Sequence, residues 1–193
     1  MSVLNTSPTF AQSIEELRTV LSATHSLGPA VDAAGAAILA SLKAGGTLLT
    51  CGNGGSAADA LHLAEELVGR YSRERRALPA ICLNADVTAI TCIGNDYGYD
   101  HVFSRGVEAL GRSGDVLVGF TTSGNSANVL AAFAAAKKKG VITLLLSGKD
   151  GGKALGVCDH EIVVPSNSTA RIQEVHTLVL HQWLEGIDEH DWS

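Results

Sequence analysis

Residues 47–71 read TLLTCGNGGSAADALHLAEELVGRY: a short apolar run, a glycine-rich break, then a stretch with helical spacing. The same texture recurs down the chain. Apolar runs at 80–83 (AICL), 115–121 (DVLVGFT), 141–146 (VITLLL) and 161–164 (EIVV) alternate with helical patterns. Near-continuous apolar runs suit strands covered on both faces, and their alternation with helices implies a parallel sheet wound by right-handed crossovers. A last helix is expected over 169–189. Before the first strand, Ile14, Leu17, Val20 and Leu21 form one helical stripe, and Val31, Ala34, Ile38 and Leu42 another. The break SLGPA between them, with Gly28 and Pro29, reads as a turn. The expected architecture is α/β: a three-layer α/β/α sandwich on a five-stranded parallel sheet, with an N-terminal helical extension over about 1–45. No repeat, low-complexity linker or second domain interrupts residues 1–193, which read as one domain. The extension's apolar stripes can fold back on the sheet or bundle with other subunits, and both outlets are open.

Composition narrows the class. With 193 residues, 46% of them hydrophobic, and a formal net charge of −6, the chain is long enough for a core and too apolar for disorder. The acidic balance argues against a nucleic-acid partner bound through a broad basic face, but not against a small phosphorylated ligand. The N-terminus MSVLNTSPTFAQSIEEL lacks a signal peptide's basic flank and apolar run, and no apolar stretch reaches the roughly 18 residues of a membrane helix. A cytoplasmic protein without a membrane partner is expected. Cys51, Cys82, Cys92 and Cys158 include no C-x-x-C pair; they read as reduced, buried or half-buried thiols, with a disulfide or cysteine metal site as the alternative.

Ligands of open parallel sheets bind beyond the carboxyl ends of the strands. Two such ends carry unusual loops here, Cys51-Gly-Asn-Gly-Gly-Ser56 and Thr121-Thr-Ser-Gly-Asn-Ser126. Glycines permit a tight turn whose free N–H groups hold phosphate at a helix start, and clustered hydroxyls surround phosphate oxygens with neutral donors. Neither loop ends in the Gly-Lys-Ser/Thr of a P-loop. The competing reading of each is an ordinary turn in which Ser56 or Ser126 caps the next helix. Taken together, the two loops favour an anionic ligand.

The helix after the first loop carries His62 and Glu66, four apart and so on one face; the last carries Gln173, Glu174, His176 and His181. His62 and Glu66 read as an exposed polar pair, as acid–base groups beside a phosphate site, or as ligands of a divalent metal. Spacing alone does not say whether the two helices meet. His176 and Glu65 read as a buried, hydrogen-bonded histidine and a solvated helix charge.

The strings CGNGGSAADALHLAEELVGRY (51–71), IGNDYGYDHVFSR (93–105), GDVLVGFTTSGNSANVLAAF (114–133) and ARIQEVHTLVLHQ (170–182), in this order, resemble the sedoheptulose 7-phosphate isomerases, the phosphoheptose isomerases of the sugar-isomerase (SIS) domain superfamily. The resemblance implies a homotetramer with interfacial active sites and a sugar-phosphate substrate. It implies conversion of sedoheptulose 7-phosphate to D-glycero-D-manno-heptose 7-phosphate, which opens the route to activated heptose for bacterial surface polysaccharide. It assigns Glu66 as catalytic base and His181 as its partner acid. It places a divalent metal, zinc, on His62, Glu66, Gln173 and His181. It gives substrate contacts to Asn53, Gly54, Ser56, Glu66, Asp96, Thr121, Thr122, Ser123, Ser126 and Gln173.

Two positions depart from the pattern. Thr121 stands where many relatives have serine, adding a methyl group beside the same hydroxyl, and Ala170 stands where some present an acidic residue. A related SIS group acts as a replication-initiator-binding assembly factor, not an enzyme. That group lacks the residues matching Glu66 and His181, both present here, so the isomerase is the favoured expectation.

Overall fold

The computed structural model describes residues 8–192; the first seven residues of the expected extension, Ser193, and with them the start of the N-terminal string, lie outside the described residues. Two helices come first, α1 (Phe10–Thr24) and α2 (Gly28–Lys43), joined by a single 3₁₀ turn at His25–Leu27. Gly28 and Pro29 are therefore not the break: they open α2, where proline's fixed φ and missing N–H cost nothing. Then β1 (Leu48–Gly52), α3 (Gly55–Val68), β2 (Ala80–Cys82), α4 (Val87–Tyr97), α5 (Ser104–Leu110), β3 (Val116–Phe120), α6 (Ala127–Lys139), β4 (Ile142–Gly148), β5 (His160–Val164) and α7 (Thr169–Asp188) follow. The five strands are all parallel, in the order β2-β1-β3-β4-β5.

Strand side chains alternate between two cores, as the period of two requires. Leu48, Val116, Val118, Phe120, Leu144 and Leu146 face α2, α3 and α7, meeting Ile38, Leu63, Leu67, Ile172, Leu180 and Trp183. Leu49, Leu117 and Leu145 face the other layer, meeting Val107 of α5 and Val129, Phe133 and Ala136 of α6. The expected three-layer sandwich is thus present. By contrast, α1 buries none of its residues: Phe10 is 82% exposed. Its tether is Arg171 at the start of α7, which donates to the Ser13 carbonyl (2.7 Å) and approaches Glu16 (3.7 Å).

All four cysteines are free; Cys51 and Cys82 are buried, Cys158 is half-buried and Cys92 is exposed. Burial pushes the Cys158 thiol up to about 12, with Glu161 adding to it. Among the described residues, no helix is long and apolar enough to cross a membrane.

Candidate active site

Strand order places the site. From β1 the chain moves outward to β2, and then returns to add β3 on β1's other side, so the loops after β1 and β3 diverge at a topological switch point. Both unusual loops are there. A cavity of about 250 Å³ opens between them, lined by Asn53, Ser56, Thr121, Thr122, Ser123, Ser126 and, from α7, Thr169 and Gln173.

Neither serine acts as a helix cap. The residue before α3 is Gly54, at φ +57°, a conformation that favours glycine, and no side chain caps that helix. Ser126 precedes α6, yet its hydroxyl pairs with Thr121 Oγ1 (3.1 Å) and leaves the α6 N-terminus without a side-chain cap. The start of α7 at Ser168 is likewise uncapped by any side chain. Three helix N-termini with positive dipole ends, none of them capped by its N-cap side chain, therefore converge on one cavity whose lining carries no lysine or arginine. Such a cradle suits an anion with several oxygens.

The two loops are tied together. Asn53 and Asn128 exchange amide hydrogen bonds in both directions (2.9 Å each), and the Tyr99 hydroxyl donates to Asn53 Oδ1 (3.0 Å). Gly124, at φ +64°, lies so close to the carbonyl of Gly151 that a Cβ there would sit 1.7 Å from that oxygen. Asp96 is elsewhere: it is exposed on α4, accepts from its neighbour Asn95 (2.7 Å) and does not line the cavity.

From the cradle a second set of groups extends along the seam between α3 and α7. These helices run side by side in the same direction. The Gln173 carboxamide lies against Gly55, Thr177 donates to Asp59 (3.1 Å), and the His181 ring meets the His62 ring at 5.1 Å. His62 Nε2 is 3.4 Å from Glu66 Oε1, and the Tyr71 ring lies beside that of His181, ring centroids 5.6 Å apart. The structure thus joins His62, Glu66 and His181, while the Gln173 amide is turned to the cradle. At a rise of 1.5 Å per residue, His62 lies about 10 Å along α3 from Gly55.

Donor atoms of His62, Glu65 and Glu66 lie within 4.8 Å of one another. One imidazole and two carboxylates, with the second imidazole beside them, fit a zinc-like divalent ion. Glu65, read from sequence as a solvated charge, is exposed but belongs to this group. Burial raises Asp59 above the usual carboxylate range against the opposing effects of Thr177 and His62, and one of its oxygens is buried without a partner. Burial, then Glu185, Glu66 and Asp188, push the Tyr71 phenol up, so it stays a proton donor. Sequence reasoning missed Asp59, Tyr71 and Thr177; the i−3 and i−4 spacings of Asp59 from His62 and of Thr177 from His181 were the available signal. His176 is fully buried under the site, its Nε2 3.0 Å from the Ser147 carbonyl oxygen.

Known proteins resemble this chain over most of its length. Residues 9–148 match the SIS domain family. Phosphoheptose isomerase 1 of Campylobacter jejuni is 51% identical over 175 residues, covering 91% of this chain and 94% of that protein. The solved phosphoheptose isomerase of Neisseria gonorrhoeae is 44% identical with a TM-score of 0.88, covering 93% of this chain and 97% of that one. That of Francisella tularensis is 36% identical with a TM-score of 0.91, covering 98% and 100%.

Proposed function

Because the chain belongs to the SIS domain family, among the phosphoheptose isomerases, and is a sugar-phosphate isomerase, we propose that it converts sedoheptulose 7-phosphate to D-glycero-D-manno-heptose 7-phosphate. The observation that carries this reading is one seam with a neutral anion cradle at one end and a carboxylate with two imidazoles at the other. The separation of about 10 Å along α3 suits a long substrate. In an extended sugar of this length, C2 lies roughly 9 Å from the terminal phosphorus, counting bonds of about 1.5 Å in zigzag. A three-carbon sugar phosphate would fall short.

In the proposed reaction the phosphate sits among Asn53, Gly54, Ser56, Thr121, Thr122, Ser123 and Ser126. Gln173 reaches the sugar, and Asp96 is kept as a substrate contact on the resemblance alone. Glu66 takes a proton from C1 of the open ketose as the C1–C2 double bond forms, and His181 protonates the oxygen at C2. Glu66 then returns a proton to C2 while the C1 hydroxyl loses its own to His181, leaving the aldose with no net redox change. Near neutral pH an imidazole suits this exchange. A divalent ion, zinc, would be held by His62, Glu66 and His181, with Glu65 within reach of the first two, and by Gln173 once its amide turns from the cradle toward them. When bound it polarises the oxygens at C1 and C2.

The same reading makes the protein cytoplasmic, at the first step toward activated heptose for lipopolysaccharide or another surface glycan. It also makes it a homotetramer with sites between subunits. The uncovered α1 supports that assembly, as does a groove of about 550 Å³ lined by Leu21, Leu27, Val31, Val175 and Leu178.

The test is NMR of the purified protein with sedoheptulose 7-phosphate in D₂O, with and without added zinc. An aldose anomeric signal with deuterium at C2 is expected. No conversion under either condition, in assembled protein, would overturn the reading.

A further inference from the structure

The segment between α3 and β2 has no regular secondary structure, yet a buried ion pair fixes it. The Arg75 and Asp188 side chains are each 3% exposed, and Arg75 Nε donates to Asp188 Oδ1 at 2.9 Å. The rest of the guanidinium reads the end of α3: Nη2 donates to the Glu66 carbonyl (2.7 Å) and Nη1 to that of Leu67 (3.0 Å). Asp188, the last residue of α7, uses its other oxygen to accept from the N–H groups of Ser72 (2.8 Å) and Arg73 (2.9 Å). One pair therefore grips the backbone of Glu66, the backbone beside Tyr71 and the end of the helix that carries His181.

A buried ion pair is a poor source of stability, since apolar residues of similar volume commonly do as well. What an apolar pair cannot do is hold two helix ends and a loop at set distances through seven directed hydrogen bonds. We propose that the Arg75–Asp188 pair is a positioning device for the isomerase site: it sets Glu66 of α3 against His181 of α7 and keeps Tyr71 seated on the His181 ring. This rests on the reading of Glu66 and His181 as the acid–base pair. Neither residue of the pair lines the anion cradle. Its effect reaches the chemistry through geometry, where a misplacement of about 1 Å costs up to about a hundredfold in rate.

The test compares Arg75→Lys and Asp188→Asn with the charge-free double variant Arg75→Met/Asp188→Leu, measuring melting temperature, kcat and KM for sedoheptulose 7-phosphate. The cradle lies at the opposite end of α3, so kcat should fall about tenfold to a hundredfold with KM little changed. The double variant should regain thermal stability without regaining kcat. A double variant with native melting and near-native kcat would overturn the proposal, as would single variants whose kcat loss matches only their unfolded fraction. If the double variant does not fold, the KM-against-kcat split in the two single variants decides. If the wild-type protein turns over no heptose phosphate, the functional reading fails separately. The positioning claim is then judged on the His181 Cε1–H signal in ¹H–¹³C NMR, displaced in Arg75→Lys if the pair seats the ring and unmoved if it does not.

Discussion

The imidazoles of His62 and His181 meet edge to face, ring centroids 5.1 Å apart and planes at 83°. One comes from the second turn of α3 and the other from the middle of the last helix. They meet because α3 and α7 lie parallel on one face of the sheet, with Gly55 against Gln173 and Asp59 bonded to Thr177 two turns and one turn earlier. The seam converts two helical spacings, each unremarkable alone, into a line of groups running from an anion cradle to a carboxylate.

In the proposed reaction Glu66 is the side chain on which turnover depends most. Glu66→Gln keeps the size of the side chain and leaves the carbonyl for Arg75 to grip, so the melting temperature should stay within a few degrees. Loss of a general base costs about 10²–10⁴ in rate. The D₂O experiment on this variant should show neither aldose nor deuterium incorporation on the wild-type timescale; near-normal conversion would remove Glu66 from the role of base.

The three central strands β1, β3 and β4 were legible because each is an apolar run buried on both faces, and Val116–Phe120 and Ile142–Gly148 fall within two residues of expectation; the edge strands β2 and β5 are only partly covered. The cradle was legible because glycines and hydroxyls cluster at two strand ends. Other features left weaker marks. Ser56 and Ser126 resemble caps until tertiary structure turns one hydroxyl to Thr121 and leaves the other at the cavity wall. Asp96 sits in a distinctive string but on an exposed helix face. Arg75 and Asp188 are 113 residues apart, and nothing local to either announces the other. Long-range polar pairs have no periodicity to betray them.

Gly55 tests the cradle without touching the base. A Cβ there would lie 2.5 Å from the Gln173 amide nitrogen, at the tip of a flexible side chain that can swing away. Gly55→Ala should therefore fold with equal or slightly higher stability, because alanine is the better helix former. With Gln173 displaced from the cavity, KM should rise about tenfold, a loss of about 1.4 kcal/mol in binding. Steady-state kinetics beside a melting curve checks this; an unchanged KM would detach Gln173 from the substrate.

Leu178 tests the assembly. It is 53% exposed on α7, in the groove with Leu21, Val31 and Val175. If another subunit fills that groove, Leu178→Asp would bury an unpaired carboxylate at a cost of several kcal/mol. Light scattering should then show a tetramer for the wild type and smaller species for the variant. Activity should fall with the loss of the tetramer if, as proposed, the sites lie between subunits. A variant that stays tetrameric would place the interface elsewhere.

His176 gives the fold a pH dependence of known sign. Burial lowers its pKa from 6.5 to about 4, against the opposing hydrogen bond to the Ser147 carbonyl. Between these values the unfolded chain carries a proton on His176 that the folded protein does not, so falling pH favours unfolding. Stability is unaffected by this group above about pH 6.5 and declines from there to about pH 4, by about 3 kcal/mol in all. His176→Gln carries no titrating ring and can still donate to the Ser147 carbonyl. Urea unfolding at pH 7 and pH 5 should show a smaller drop for the variant than for the wild type. Equal drops would mean that the ring accepts a proton without leaving its place beneath the site.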